Sequence, residues 1–264
     1  MKNEENKWSY PNLLEGMTSI SALLNTDPTI NDRKILRVQV DEAKKRSKAA
    51  EIGFLIAKSN ELDFPVEFVS AETIDEAASG SSHGGIIAFC SDRSFPELSA
   101  EQIVPNGFYV YLEGIEDPYN FGNTIRSLYA AGVDGIVIPL RNWMTAAGVV
   151  AKASAGTSER LPVFVAESDT VAPIFHEANY QIFCAGIRDS VSVFDAPLSY
   201  PILLVIGGEK RGISRSILNE ADQILRIDYG RDFRGSLSAA SSAAILAFEI
   251  MQKNRKTKNM GSTD

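Results

Sequence analysis

The feature that most constrains the fold is the segment 107–139, which reads GFYVYLEGIEDPYNFGNTIRSLYAAGVDGIVIP. Its apolar run from Phe108 to Leu112 predicts a buried strand, an Asp-Pro pair breaks that strand, and Asn120 stands where a side-chain oxygen can cap the next helix. A second buried strand begins at Ile136. The segment therefore predicts a β-loop-α-β unit whose polar loop lies at the carboxyl edge of a parallel sheet, where open α/β sheets bind ligands.

Three polar side chains, Asn120, Asn123 and Arg126, crowd this predicted edge. They can be a helix cap with a surface arginine, because capping asparagines are common, or they can contact a ligand. The segment alone leaves both interpretations open.

Short strands and helices alternate along the whole chain, which predicts an α/β fold in two domains. The first is a small α/β domain that opens with a helix at 13–24 and carries a basic helix at 43–59. The second has a mostly parallel sheet with helices on both faces, including helices at 145–155 and 236–253. The predicted segments are a tail at 1–10, a first domain at 11–91, a linker at 92–106, a second domain at 107–254 and a disordered tail at 255–264.

Composition limits the classes of function. The chain starts with the polar MKNEENKW and has no apolar run of roughly 20 residues, so we expect a cytoplasmic protein without a signal peptide or membrane span. Cys90 and Cys184 are isolated, and His83 and His176 are the only histidines. These counts disfavour disulfides, a metal site and a histidine-based catalytic triad.

The charge pattern is uneven. A net charge of -8 argues against indiscriminate binding to nucleic acid, since that affinity comes from Lys and Arg on phosphates. The basic residues are nevertheless grouped, which is typical of solvated surface but also fits local phosphate contact. The two groups are Lys44, Lys45, Arg46 and Lys48, and Lys210, Arg211, Arg215, Arg226, Arg231 and Arg234.

Two later stretches bear on the ligand. In LLVIGGEKRGIS, residues 203–214, a strand runs into Gly207-Gly208, which either makes a simple turn or lets a ligand lie on backbone N–H groups. This loop matches neither GxGxxG nor a P-loop, so it disfavours nicotinamide and nucleoside-triphosphate sites. In residues 224–249 a strand leads through a glycine-bracketed loop into a helix rich in Ser and Ala, which permits close approach by another helix or by a flat ligand.

In this order and spacing the three stretches resemble the SpoU/TrmH family of RNA ribose 2′-O-methyltransferases, within the knotted SPOUT class. In addition, GSSHGGIIAF at 80–89 is similar to the end of the L30e-like RNA-binding domain of many members. The matched residues are Asn120, Gly122 and Arg126 for N-x-G-x-x-x-R, Gly207, Glu209 and Gly212 for G-x-E-x-x-G, and, in part, Ile227, Gly230, Ser236 and Leu237 for I-P-M, a glycine loop and S-L-N.

The resemblance implies that the second-domain sheet is threaded as a deep trefoil knot and that the protein is a homodimer. It implies S-adenosyl-L-methionine as the methyl donor and structured RNA as the substrate, rRNA rather than tRNA and in particular 23S rRNA, chosen by the front domain. No metal or membrane is implied. The implied cofactor-binding residues are Gly186, Gly207, Ile227 and Leu237, and the implied catalytic residues are Arg126, Asn120, Glu209, Ser236 and Ser238.

Arg126 is the residue that the resemblance places closest to the chemistry. A ribose 2′-OH is a poor nucleophile, so a group must take its proton or stabilise the alkoxide. The family arginine is commonly proposed as the base. Because arginine is effectively always protonated, physical chemistry favours a phosphate anchor that also stabilises negative charge. Both roles remain open from the sequence.

Three departures from the family pattern bear on activity. Ser238 replaces the Asn of S-L-N, Gly208 precedes Glu209 where the family often has Asn, and Asp228-Tyr229 replaces Pro-Met. A serine hydroxyl still forms hydrogen bonds but reaches less far than an amide. One alternative is therefore a catalytically impaired RNA-binding homodimer, and a second, an NAD-dependent oxidoreductase, lacks the fingerprint loop.

Overall fold

The computed structural model describes residues 12–140 and 146–260. Its contacts divide the chain into two units, of which unit 1 holds the described residues 12–94 and 146–160 and unit 2 holds 95–140 and 161–260. In chain order the strands and helices are β1 (Leu13–Glu15), α1 (Met17–Leu24), β2 (Ile35–Asp41), α2 (Ala49–Leu62), β3 (Val66–Val69), α3 (Ala71–Ala77), β4 (Ile86–Cys90), β5 (Phe108–Glu113), α4 (Pro118–Ala130), β6 (Gly135–Ile138), α5 (Ala147–Ala153), β7 (Val163–Val165), α6 (Val171–Glu177), β8 (Gln181–Ala185), β9 (Val191–Ser192), β10 (Ile202–Gly207), α7 (Arg215–Glu220), β11 (Gln223–Arg226) and α8 (Ala239–Met260).

Unit 1 is built on a four-stranded sheet in the order β1-β4-β2-β3. β4 is antiparallel to β1 and to β2, and β2 is parallel to β3. The predicted helix at 13–24 is wrong at its start. Residues 13–15 form β1 because they pair with 87–89 of β4, and Gly16, with a φ of 80°, separates them from α1. The core of the unit includes Leu14, Ile20, Leu23, Val38, Val40, Leu55 and Ile86.

The predicted basic helix at 43–59 also begins later than expected. The Asp41 carboxylate accepts a hydrogen bond from the Ala43 N–H at 2.9 Å, which opens a 3-10 turn, and α2 begins only at Ala49. Several positive charges at a helix N-terminus would oppose its macrodipole, which favours a later start. The basic cluster therefore lies in a largely exposed turn, at Lys44, Lys45, Arg46 and Lys48.

Residues 146–160 belong to unit 1, although the sequence places them in the second domain. Ala151 of α5 is fully buried in the unit 1 core, and the Lys152 ammonium donates to the Glu15 carboxylate at 2.6 Å. Asn31 likewise donates to the Glu159 carboxylate at 2.8 Å. These pairs are separated by 137 and 128 residues in the chain, so no local pattern marks this excursion. Thr145, the predicted start of this helix, lies outside the described residues.

The predicted linker at 92–106 divides between the two units. Residues up to Ser94 belong to unit 1, whereas Phe95 and later residues belong to unit 2. There the Leu98 N–H donates to the Val165 carbonyl at 2.8 Å, and the Leu98 side chain is buried in the core. The part of this stretch in unit 2 is therefore an irregular segment that packs against β7.

Unit 2 is built on a seven-stranded sheet in the order β7-β6-β5-β10-β8-β11-β9, and every neighbouring pair is parallel. The predicted α/β fold with a mostly parallel sheet is confirmed. Helices α6 and α7 pack on the face that carries Tyr109, Tyr111 and Val205, while α8 packs against α4 and contacts β10. The chain winds outward from β5 to β7 and then places β8 on the other side, so the order of winding reverses beside β5 and β10.

The C-terminal helix is displaced relative to the prediction. The sequence predicts a helix at 236–253 and a disordered tail at 255–264, whereas α8 starts at Ala239 and continues to Met260. Tertiary contacts help to extend it, because the Asn254 amide donates to the Leu198 carbonyl at 3.1 Å. The short strand β9 is also missing from the prediction. The tails at 1–10 and 261–264 lie outside the described residues.

Burial sets the chemistry of the two free cysteines, Cys90 and Cys184. Removal from water raises the pKa of each thiol to about 12. An unfolded thiol ionises near pH 8.5, so above this pH the unfolded chain loses protons that the folded chain keeps. We expect the free energy of unfolding to fall between about pH 9 and pH 12, by about 1.4 kcal/mol per pH unit for each thiol.

Urea titrations at several pH values check this expectation. The double variant Cys90→Ala/Cys184→Ala should show a shallower loss of stability at alkaline pH than the wild type. An identical pH dependence in both proteins would contradict the assignment.

Candidate functional site

Four neighbouring strands bring most of the predicted site residues to one edge of the unit 2 sheet. β5, β10, β8 and β11 are consecutive in the sheet order and run in the same direction. Gly207 ends β10, Gly186 directly follows β8, and Ile227 directly follows β11. The loop after β5 leads to Asn120 in the first turn of α4. This carboxyl edge, at the reversal of winding, is where open α/β sheets bind ligands.

The glycines of the β10 turn are explained by contact of backbone with backbone. A β-carbon on Gly207 would lie 2.5 Å from the carbonyl carbon of Gly212, and one on Gly208 would overlap the carbonyl oxygen of Gly114. The Gly212 N–H donates to the Gly208 carbonyl at 2.9 Å and closes the turn. The chain itself fills the space beside these glycines, so their role is to hold the loops after β5 and β10 together.

Helix α4 is capped by Asp117 and not by Asn120. The Asp117 carboxylate accepts a hydrogen bond from the Asn120 N–H at 2.8 Å, because Pro118 favours the first helical position and places the cap just before it. Asn120 instead lines a small cleft together with Glu209. This polar cleft is lined by Gly114, Ile115, Glu116, Asp117, Asn120, Glu209, Lys210 and Ala239.

Charged and amide groups define the chemistry of the polar cleft. The Lys210 ammonium lies 2.8 Å from the Glu116 carboxylate, which neutralises both charges at the rim. Glu209 is exposed, and Asn120 is half-buried. The cleft therefore offers a carboxylate and an amide that can hydrogen-bond to the hydroxyl groups of a ligand.

Arg126 lies six residues after Asn120 on α4, about 9 Å farther along the helix axis. Its side chain is exposed and does not line the polar cleft. Within residues 12–140 and 146–260, no hydrogen bond or ion pair engages its guanidinium. The structure thus brings Asn120 and Glu209 together and leaves Arg126 apart, with its donors directed to no described partner.

Ser236, Leu237 and Ser238 precede α8 and are not part of it. The Ser238 hydroxyl accepts a hydrogen bond from the Ser241 N–H at 3.2 Å and donates to the Ser241 hydroxyl at 3.1 Å, so Ser238 caps the helix. Neither serine lines the polar cleft, whereas Ala239 does. Asparagine is an equally good cap, so serine at this position keeps the cap and shortens the reach.

The capping role of Ser238 can be tested through the stability of Ser238 variants. We expect Ser238→Ala to lower the free energy of unfolding by about 1 kcal/mol, whereas Ser238→Asn changes it by less than about 0.5 kcal/mol. Urea titration measures both. Ser236→Ala is the matched control, because Ser236 is exposed and lies just before the cap. Equal losses in Ser236→Ala and Ser238→Ala would contradict the capping role.

A second, more open cleft lies beside Ile227 and Leu237. The Leu237 N–H donates to the Tyr229 hydroxyl at 3.4 Å, and the rings of Tyr229 and Phe233 have centroids 5.5 Å apart. Gly186 and Gly207 line neither this cleft nor the polar cleft. This aromatic cleft is lined by Phe194, Ile227, Asp228, Tyr229, Gly230, Arg231, Phe233, Leu237 and Ile245.

The aromatic rings of this cleft are the part of the site that the sequence interpretation missed. Phe194, Tyr229 and Phe233 are 49%, 37% and 53% exposed. The signal was available in GRDFRG, residues 230–235, where a phenylalanine stands among arginines and glycines in a loop. Such a residue has no core to join, and its exposure marks a candidate contact surface.

Among the described residues, no group of three or more His, Cys, Asp or Glu side chains is arranged to hold a metal ion. Over the same ranges, no helix combines the length and apolar character needed to cross a bilayer. His83 lies in unit 1, 3.0 Å from Asp75, and His176 lies on α6, 3.6 Å from Glu220.

Comparisons with known proteins give one family match and several curated relatives. The model of the SpoU rRNA Methylase family matches residues 107–248, a range that includes all three motif stretches except the last residue of the third. Among curated proteins, a putative TrmH family tRNA/rRNA methyltransferase of Bacillus subtilis, YacO, is 28% identical over 233 residues, with 84% of this chain and 90% of that protein covered. The 23S rRNA (guanosine-2′-O-)-methyltransferase RlmB of Shewanella oneidensis is 25% identical over 251 residues, with coverages of 92% and 98%.

Solved structures show the same fold. The SpoU methyltransferase AviRb from Streptomyces viridochromogenes, in complex with AdoMet, superposes with a TM-score of 0.76 at 18% identity, over 96% of this chain and 98% of that one. An AdoMet-bound rRNA methyltransferase from Sinorhizobium meliloti gives a TM-score of 0.74 at 21% identity, with coverages of 91% and 86%. The fold likeness therefore extends over nearly the whole chain.

Proposed function

Because this chain belongs to the SpoU rRNA methylase family, we propose that it transfers the methyl group of S-adenosyl-L-methionine to a ribose 2′-OH of structured RNA. The observation that carries the proposal is the convergence of the matched motifs at one sheet edge, with Asn120 after β5, Glu209 after β10 and Ile227 after β11. The relatives from Bacillus subtilis and Shewanella oneidensis support this reaction class, since each is covered over at least 90% of its length.

The cofactor is assigned to the floor of the aromatic cleft. Ile227, Leu237 and Ile245 supply apolar surface there, which fits a flat adenine ring, and backbone groups next to them can bind its edge. S-adenosyl-L-methionine supplies an activated methyl group on a sulfonium. Gly207 holds the neighbouring turn in place, and Gly186, whose N–H donates to the Leu225 carbonyl at 2.9 Å, holds the end of β8 against β11.

Arg126 is assigned the central role in the reaction. Its guanidinium is permanently charged and engages no partner within the described ranges, so it can anchor the phosphate next to the acceptor ribose and stabilise negative charge on the 2′-oxygen. Asn120 and Glu209, which share the polar cleft, position the ribose by hydrogen bonds to its hydroxyl groups. Ser236 and Ser238 shape the start of α8. They thereby position Ala239, which lines that cleft.

The finer parts of the proposal concern substrate and assembly. We assign 23S rRNA as the substrate and the cytoplasm as the location, on the strength of the RlmB relative. Unit 1 is assigned as an L30e-like RNA-binding domain and the active form as a homodimer. β10 follows β8 in the sequence but lies between β5 and β8 in the sheet. This strand order supports a deep trefoil knot in unit 2.

An RNA-binding homodimer with impaired activity is the alternative that two departures favour. Asp228, in place of the family proline, lies 2.8 Å from the Arg226 side chain and forms an ion pair, and Ser238 is engaged in capping α8. Both residues thus have structural partners in place of a catalytic one. If the protein is active, it methylates RNA despite these two substitutions. If it is impaired, it binds the cofactor or RNA but transfers no methyl group.

Two experiments test the proposal. Calorimetry should show binding of S-adenosyl-L-methionine and none of NAD, and the reverse result would contradict the reaction class. Ribose-methylation mapping of total RNA from a deletion strain should show the loss of a 2′-O-methyl group at one 23S rRNA position. Loss of a methyl group from a tRNA position would show that tRNA, and not 23S rRNA, is the substrate. An unchanged map would support the alternative of an RNA-binding homodimer with impaired activity.

A further inference from the structure

The loop between β11 and α8 carries two aromatic rings that line the aromatic cleft and are more exposed than Ile227 and Leu237. Tyr229 and Phe233 are 37% and 53% exposed, and their ring planes meet at 59° with centroids 5.5 Å apart. The cofactor assignment uses the apolar floor at Ile227 and Leu237 and leaves these rings without a ligand. Large exposed aromatic surface next to a cleft is typical of a contact site.

The loop holds both rings in defined positions. The Tyr229 hydroxyl accepts a hydrogen bond from the Leu237 N–H at 3.4 Å, which ties this ring to the start of α8. The Phe233 ring lies directly over Gly235, where a β-carbon would come within 2.5 Å of a ring carbon. Glycine at 235 therefore allows the Phe233 ring to fold back over the loop.

Two arginines lie in the same loop as these rings. Arg231 and Arg234 flank Phe233, both are exposed, and no hydrogen bond or ion pair with any described residue engages either guanidinium. Asp232 is the only acidic residue in the stretch 229–234. The stretch thus has a net charge of +1 (two Arg less one Asp) on a chain of net charge -8. Asp228, the other carboxylate that lines the cleft, is paired with Arg226 at 2.8 Å. Its chemistry fits a ligand with a flat ring and a negative charge.

We propose that Tyr229 and Phe233, together with Arg231 and Arg234, form a subsite that stacks on an unpaired nucleobase of the RNA substrate. The inference rests on the proposed function and names the state of its substrate: a base next to the methylated ribose is unstacked and single-stranded. Aromatic rings stack on bases of any sequence, and arginines bind the adjoining phosphates. S-adenosyl-L-methionine carries a net positive charge, so the arginines favour RNA as the ligand of this loop.

The test uses the full-length protein and a single-stranded oligoribonucleotide of about ten residues that contains 2-aminopurine, whose fluorescence is quenched by stacking. We expect the wild type to quench it and Phe233→Leu to bind it roughly 5- to 150-fold more weakly, the range for loss of one stacked base. Phe233→Trp keeps a flat ring and should retain both affinity and quenching. Phe248→Leu, a change at another exposed phenylalanine, should behave as the wild type.

Three further measurements distinguish RNA from the cofactor and from a second copy of the chain as the ligand of this loop. Calorimetry should show that Phe233→Leu binds S-adenosyl-L-methionine as the wild type does, and a loss of this affinity with normal RNA binding would overturn the proposal in favour of the cofactor adenine. A lower molar mass for Phe233→Leu would overturn it in favour of an interface between copies. Equal quenching by wild type and Phe233→Leu would overturn the subsite even if the wild type methylates RNA, whereas selective loss of quenching would support the subsite even if no transfer is detected.

Discussion

Replacing Arg126 with alanine is expected to abolish methyl transfer to RNA and to leave the affinity for S-adenosyl-L-methionine nearly unchanged. The cofactor is assigned to the surface at Ile227 and Leu237, which Arg126 does not line. The lost group is a permanent cation that anchors phosphate and stabilises charge on the 2′-oxygen. Transfer of labelled methyl to RNA measures the first effect, and calorimetry measures the second. Arg255→Ala, at an exposed arginine on α8, is the matched control.

The variant Arg126→Lys separates the two roles of this residue. Lysine keeps the charge but lacks the planar fork of donors, so loss of a bidentate phosphate anchor should cost about 1–3 kcal/mol in transition-state stabilisation. A proton-accepting role predicts a different result: lysine, with a pKa of about 10.4, would act as the base and activity would partly recover as pH rises. Near-normal activity in Arg126→Ala would remove the residue from the mechanism.

Replacing Glu159 with alanine is expected to destabilise unit 1 by about 3–5 kcal/mol, the cost of leaving a buried charge unpaired. Glu159 lies 3.7 Å from the Arg33 guanidinium, and both side chains are almost fully buried. Two nitrogens of Arg33, Nε and Nη1, have no hydrogen-bond partner among the described residues, so this carboxylate is the main compensation for the buried charge.

Arg93 increases the dependence on Glu159. It is buried in the same cluster and donates to the Ser158 carbonyl at 2.6 Å and to the Ile30 carbonyl at 3.0 Å. Burial lowers the pKa of its guanidinium to about 10, whereas Glu159 raises it, so Arg93 stays charged at neutral pH. Without Glu159 two buried cations would face each other.

Denaturant titration checks the Glu159 prediction. Glu61→Ala is the control in the same unit, because Glu61 pairs with Lys58 at 2.8 Å on an exposed surface and such pairs contribute about 0.2–1 kcal/mol. A loss of stability in Glu159→Ala no larger than that in Glu61→Ala would show that the buried cluster is not held by charge compensation.

The parallel sheet of unit 2 could be predicted because its two central strands contain short, apolar runs. Residues 108–112 and 202–206 are of this kind, and both lie at the centre of the sheet. The strand ends could be predicted from the glycine turn at Gly207-Gly208 and from the glycine-bracketed loop after the last strand, which placed Gly207 and Ile227 near one edge. The carboxyl edge then follows from the parallel direction of the strands and needs no side-chain detail.

The parts that could not be predicted depend on partners far away in the chain. Residues 13–15 look helical by spacing but pair with β4, and 146–160 join unit 1 through Glu15 and Asn31. A single cut at 106 therefore does not separate the two units. The cap at Asp117 was predicted three residues too late because asparagine and aspartate are both good caps, and only Pro118 distinguishes them.

Methyl transfer to a ribose 2′-oxygen can be measured directly on RNA with a labelled cofactor. Full-length protein is incubated with S-adenosyl-L-methionine that carries a labelled methyl group and with ribosomal RNA from a strain that lacks this protein, and the RNA is then digested to nucleosides. We expect label in a single 2′-O-methylnucleoside with the wild type and none with Arg126→Ala. Label on a base, or no label with a wild-type protein that binds the cofactor, would contradict it.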